Sequence, residues 1–70
     1  MVFGKFSFIP TKQANGKVYI TVTLVYNPAF MALHDAEDLS VVSQTIPSYL
    51  VDEYMDLMKK NLSAILEELA

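Results

Sequence analysis

Apolar and polar residues alternate one by one in two stretches of the first third of the chain. Phe6 and Phe8 alternate with Lys5 and Ser7, and Val18, Ile20, Val22 and Leu24 alternate with Tyr19, Thr21 and Thr23. A period of two over β-branched and aromatic residues marks strands, because successive side chains of an extended chain point to opposite faces. Between them lies Gln13-Ala14-Asn15-Gly16-Lys17, whose Asn-Gly pair signals a tight hairpin. Two turns are open to it. A two-residue turn at Asn15-Gly16 pairs Phe6 with Val25 and Phe8 with Thr23, scattering the large apolar groups over both faces. A three-residue loop with Gly16 left-handed sets Phe8 opposite Val22 and Phe6 opposite Leu24. A buried face dictates register, so the three-residue loop is expected. One face then collects Val2, Phe6, Phe8, Val18, Ile20, Val22, Leu24 and Tyr26. Pro10 falls opposite Ile20 in a non-hydrogen-bonded pair, where its missing N–H points away from the second strand and predicts a sheet edge.

Further along, Asn27-Pro28 suits a helix start, Asn as cap and Pro in the first turn, so a short helical turn is expected from Pro28 to about Leu33. The polar run His34-Asp35-Ala36-Glu37-Asp38 reads as a loop. Leu39 to Ile46 is rich in β-branched residues and stops at Pro47, which predicts a third strand. A helix over residues 35–44, capped by Asp35, is the rival reading and would make the order ββαα.

The last segment, about Pro47 to Leu69, predicts one long helix. Val51, Met55, Met58, Leu62, Ile65 and Leu69 follow one another at steps of 4, 3, 4, 3 and 4 residues, a heptad seam. Leu50, Tyr54, Leu57 and Leu66 widen it, and Asp52, Glu53, Asp56, Lys59, Lys60, Ser63 and Glu67 fall largely on the other side. Asp52 and Glu53 suit the positive end of the helix dipole, whereas Glu67 and Glu68 at the far end oppose it. The expected fold is α+β: an N-terminal β-hairpin and a third antiparallel strand in one domain over residues 1–70, packed by one long C-terminal helix.

Composition raises the question of surface. At 70 residues a core only just offsets chain entropy, yet 53% of the residues are hydrophobic and the mean hydropathy is +0.31. No cysteine is present to staple the fold. No apolar run approaches the ~20 residues of a membrane span, and Met1-Val2-Phe3-Gly4-Lys5 lacks the marks of a secretory signal. The expectation is a cytoplasmic, membrane-free protein that hides its surplus apolar surface against another chain, above all a second copy. A helix of the expected length is ~34 Å long and a strand of eight residues spans ~27 Å. The helix end should therefore overhang the sheet with Leu62, Ile65, Leu66 and Leu69. The outer hairpin face, with Phe3, Ile9, Tyr19 and Val25, is the second candidate interface.

Candidate chemistry is sparse. His34 with Asp35, Glu37 and Asp38 contains catalytic and metal-binding residue types, but adjacent loop residues lack the spacing that presents two ligands on one face. Gly4 and Gly16 are the only glycines, so no phosphate-cradling loop is present. No catalytic residue, metal, cofactor or small-molecule substrate is expected. Eight acidic against five basic residues give a net charge of −3, which disfavours general nucleic-acid binding. The function expected is a non-enzymatic, homodimeric interaction module that docks on or inhibits another macromolecule. An alternative is an acidic inhibitor of the phage type, a DNA mimic or anti-CRISPR-like protein, presenting Asp35, Glu37, Asp38, Asp52, Glu53 and Asp56 to a basic host partner. In element order, Lys17–Leu24, Pro28–Asp38 and Pro47–Leu69 resemble ribbon-helix-helix proteins, which would imply a DNA-binding dimer. The Phe-rich strand ahead of them and the weak basic support around Tyr19, Thr21 and Thr23 depart from that pattern.

Overall fold

In a computed structural model the backbone of residues 1–70 is described, with all side chains except those of Val41 and Ser43. The protein is α+β. Strands β1 (Val2–Phe3), β2 (Phe6–Lys12), β3 (Val18–Leu24), β4 (Met31–Asp35) and β5 (Val41–Gln44) form an antiparallel sheet in sequential order, four of them substantial and β1 only two residues long. A 3-10 turn (Ser48–Leu50) leads into helices α1 (Val51–Lys60) and α2 (Leu62–Leu66), and a second 3-10 turn (Glu67–Leu69) follows. Among the described residues, no helix is long and apolar enough to cross a membrane.

The hairpin register follows the apolar pattern. Phe6 lies opposite Leu24, Phe8 opposite Val22 and Pro10 opposite Ile20, and Gly16 closes the loop at φ 85°, a left-handed conformation that glycine adopts without steric cost. Phe6, Phe8, Ile20 and Val22 are wholly buried, and Val18 and Leu24 are half-buried. Val2 and Tyr26, expected on this face, are instead exposed. Gly4, at φ 59°, turns the chain so that Phe3 pairs with Phe6 and Val2 with Ser7. Residues that pair directly share a face. Phe3 therefore joins the core, its ring 6.0 Å from that of Phe8, and Val2 takes the outer side. The edge expected at β2 is covered by Met1–Phe3 along its first half, where Met1 and Phe8 exchange two hydrogen bonds.

Residues 31–35 overturn the expected helical turn and loop. Asn27 does accept a hydrogen bond at its side chain, from the Ala29 N–H at 3.2 Å, but that bond shapes the turn between β3 and β4. Met, Ala and Leu favour helix in isolation; here pairing with β3, Ala32 opposite Val22 and His34 opposite Ile20, prevails. His34 and Asp35 are buried strand residues. The strand expected over 39–46 is present as β5, and its pairing with β4 shifts register between Leu33 and His34. The ββαα order fails on β5, a strand where a helix over residues 35–44 was needed, and the resemblance to ribbon-helix-helix proteins fails on β4, a strand within the segment Pro28–Asp38.

The single long helix is also corrected. It breaks at Asn61 (φ −117°, ψ 15°), whose side-chain and backbone N–H groups both donate to the Leu57 carbonyl, at 2.8 and 3.1 Å. Asn61 thus satisfies carbonyls that a helix end leaves open. Lys59 and Lys60 lie in the last turn before it, where the dipole favours cations. The break redirects α2 onto β2. Ile65 becomes wholly buried, Leu62 and Leu66 half-buried, and only Leu69 is exposed. The predicted overhang is absent. Glu68, unfavourable for a helix end, is answered by the Met1 amine at 2.8 Å. The exposed area of 4245 Å² is close to the ~4400 Å² that size scaling gives for a chain of 7.9 kDa. The total surface is therefore ordinary for a folded chain of this size.

Replacing Ile65 by Ala should cost about 2–4 kcal/mol in urea unfolding, the loss of a fully buried aliphatic group. The loss should not depend on protein concentration, because the site is filled within one chain. A cost below ~0.5 kcal/mol, as at an exposed site, would show that the C-terminal turns do not pack as described.

Candidate interaction surface

The helices and the 3-10 turns cover one face of the sheet and leave the other open. Register places the outer residues in rungs across the strands: Val2, Ser7, Thr23 and Met31 in one, Ile9, Thr21 and Leu33 in the next, Thr11, Tyr19 and Asp35 in the third. The face is graded. Toward the β1–β2 turn it is apolar, with Val2 (57% exposed), Val25 (45%), Met31 (44%) and Ile9 (48%). At the other end it is polar, where Lys17 lies 3.7 Å from Asp35 and the same carboxylate accepts the Glu37 N–H at 2.9 Å. Two tyrosines elsewhere are also exposed, Tyr26 in the β3–β4 turn and Tyr49 in the 3-10 turn after β5. Tyrosine suits a surface that becomes buried, since its ring is apolar and its hydroxyl finds a partner.

Of the expected interface residues, Ile9 and Val25 lie exposed on this strip, and Tyr19 is half-buried beside it. Phe3 belongs to the core, and Leu62, Ile65 and Leu66 are engaged within the chain, with Leu69 left exposed. Val2 and Met31 were not expected. Met31-Ala32-Leu33-His34-Asp35 carries no apolar–polar alternation that would place Met31, and the start at Asn27-Pro28 reads as helical. Val2 needed the turn at Gly4 to be placed.

The acidic residues do not form one surface. Asp35, Glu37 and Asp38 sit at the β4–β5 end of the sheet. Glu53, 3.2 Å from Lys5, marks the opposite end, ~20 Å away along six residues of strand. Asp56 pairs with Lys60 at 3.0 Å, and Asp52 is exposed. The backbone N–H and then the hydroxyl of Ser40 hold the Asp38 carboxyl below its ordinary range.

His34, read as part of a solvated loop, is wholly buried. Its Nδ1 lies 3.2 Å from the Leu39 carbonyl and its Nε2 3.2 Å from the Tyr54 hydroxyl. A carbonyl can only accept, so Nδ1 carries the proton and Nε2 accepts from Tyr54. Burial lowers the pKa of His34 and raises that of Tyr54. Both polar groups are thus satisfied inside an apolar core, where an unpaired one would be costly. No cluster of three metal-ligating side chains and no cleft occurs among the described residues.

Tyr54→Phe should destabilise the fold by about 1–3 kcal/mol at neutral pH, because it leaves Nε2 buried without a donor. Tyr49→Phe should change stability by less than ~0.5 kcal/mol, and equal effects of the two in chemical denaturation would contradict the buried bond. No protein-family model matches the chain, and no curated protein or solved structure shows a significant likeness to it.

Proposed function

We propose that this protein is a non-enzymatic interaction module that associates through the open face of its sheet, in the first instance with a second copy of itself. The observation that carries this reading is the apolar strip of Val2, Ile9, Val25 and Met31 on the one sheet face that no helix covers. Packing two such strips face to face is a standard solution for sheets with one uncovered apolar side. Polar groups at the Asp35–Lys17 end would form part of the rim.

The size of the strip sets the strength. Its rungs cover about 14 by 14 Å, so two copies would hide on the order of 500 Å² together, well under the ~1,200 Å² of tight interfaces. At ~25 cal/mol per Å² this is roughly 12 kcal/mol gross. Loss of overall motion on association removes about 4–15 kcal/mol of it. The expected dimer is weak and forms with rising concentration. Such a surface suits a partner that is met and released.

Sedimentation between about 5 and 500 µM should show a monomer–dimer equilibrium for the native chain, since association follows mass action. The double substitution Ile9→Lys and Met31→Lys should leave a monomer throughout, with cooperative unfolding retained. A native chain that stays monomeric over the whole range, or a dimer indifferent to both substitutions, would overturn the proposal.

A further inference from the structure

The buried His34 is the one histidine of the chain, and its position joins three elements. It stands on β4, receives the hydroxyl of Tyr54 from α1, and donates to the carbonyl of Leu39 in the loop between β4 and β5. Leu39 is held at φ 56°, the only non-glycine residue with positive φ among the described residues, a conformation disfavoured for residues other than glycine. The same loop is tied down by the Leu39 N–H to the Asp35 carbonyl at 2.7 Å and the Asp35 N–H to the Ser40 carbonyl at 3.1 Å.

We propose that His34 is an acid-operated latch on the β4–β5 hairpin: a solvent proton taken up at Nε2 destroys the acceptor for the Tyr54 hydroxyl, and the charged ring leaves the core as the 36–40 loop opens. With Nδ1 already protonated, Nε2 is the only site for a second proton. A protonated Nε2 faces the Tyr54 oxygen with a donor where an acceptor stood. The hydroxyl hydrogen then loses its buried partner, and the imidazolium carries a charge in a site without water access.

The surroundings offer that charge no answer. On β4, Asp35 projects to the opposite face and is engaged by Lys17 and the Glu37 N–H. In the loop, Glu37 is exposed and the Asp38 carboxylate is taken by Ser40. From β3 the facing residue is Ile20, and β5 has no titratable residue. On α1, Glu53 pairs with Lys5, Asp56 with Lys60, and Asp52 is exposed. Burial keeps Tyr54 protonated, so it supplies no negative charge. Toward β3 and α1 the ring meets packed core. The loop, with its strained Leu39, is the side that can yield.

The sign follows from linkage. The closed form holds the His34 pKa below its ordinary 6.5, so the open form binds protons more readily. The latch is fully effective above that value and weakens as pH falls below it. If only the open form takes the proton, the opening constant rises about thirtyfold between pH 7.5 and pH 5.0.

Amide hydrogen exchange reads the opening residue by residue. After correction for intrinsic rates, protection at the Asp35 and Leu39 amides should fall about thirtyfold from pH 7.5 to 5.0, while Ile9 and Thr21 in the centre of the β2–β3 ladder keep theirs. His34→Gln should abolish the acid response. Tyr54→Phe, which removes the donor that favours the neutral ring, should raise the pH at which the His34 carbon resonances titrate and move the opening with it. Equal loss at all amides, no loss at Leu39, an acid response surviving in His34→Gln, or a titration unmoved in Tyr54→Phe would each overturn the latch.

Discussion

The ring of Tyr54 is wholly buried where helix and sheet meet, with Phe6 at 6.0 Å, Phe30 at 6.4 Å and His34 at 5.4 Å between ring centroids. Dispersion and apolar burial hold α1 to the sheet through the first two contacts, and the hydroxyl adds a directed bond through the third. That bond determines much around it. Because Nε2 must accept from Tyr54, Nδ1 must donate, and the Leu39 carbonyl is the group that receives it. The conformation of the β4–β5 loop is thereby linked to the position of the helix. A single aromatic residue links α1 to the sheet and, through His34, to the path of the loop at Leu39, 15 residues earlier in sequence.

The helical layer covers only one face of the sheet. The helical layer is short: ten residues of α1 and five of α2, with the bend at Asn61 folding the second piece down beside the N-terminal strands. The bend completes the inner core and removes the overhang that a straight helix would have offered to a partner. What is left uncovered is the outer face, apolar at one end and charged at the other. The two edges of the sheet also differ. The β2 side is closed by a two-residue strand and by Pro10, which has no N–H to offer, so the sheet is not extended readily in that direction.

The placement of acidic residues shows how far linear order misleads about electrostatics. Six carboxylates that read as a negative run divide between the two ends of the sheet and the helix surface, and Lys5, Lys17 and Lys60 each meet one of them. The Lys5–Glu53 and Lys60–Asp56 pairs, exposed on both sides, add little to stability. They do break the field into local patches, which is unlike the continuous charge of a nucleic acid backbone.

The α+β class, the β2–β3 register, the loop ending in Gly16 and the strand nature of residues 41–44 were legible in the amino-acid order, because each follows from local periodicity or from a turn residue with one favourable conformation. The exposed positions of Ile9 and Val25 followed from the same alternation. Tertiary structure decided the rest. Whether Met31–Asp35 extends or coils depends on an open edge of β3 that local propensity does not register, and with that strand came the burial of His34. Which of Val2 and Phe3 faces inward depends on a reversal at Gly4, a one-residue event that shifts alternation by a full face. The break at Asn61 was hidden by an unbroken heptad pattern, since Leu62 and Ile65 are apolar whether a helix runs straight or folds back. Periodicity reports which side chains seek cover; only the packed chain decides what covers them.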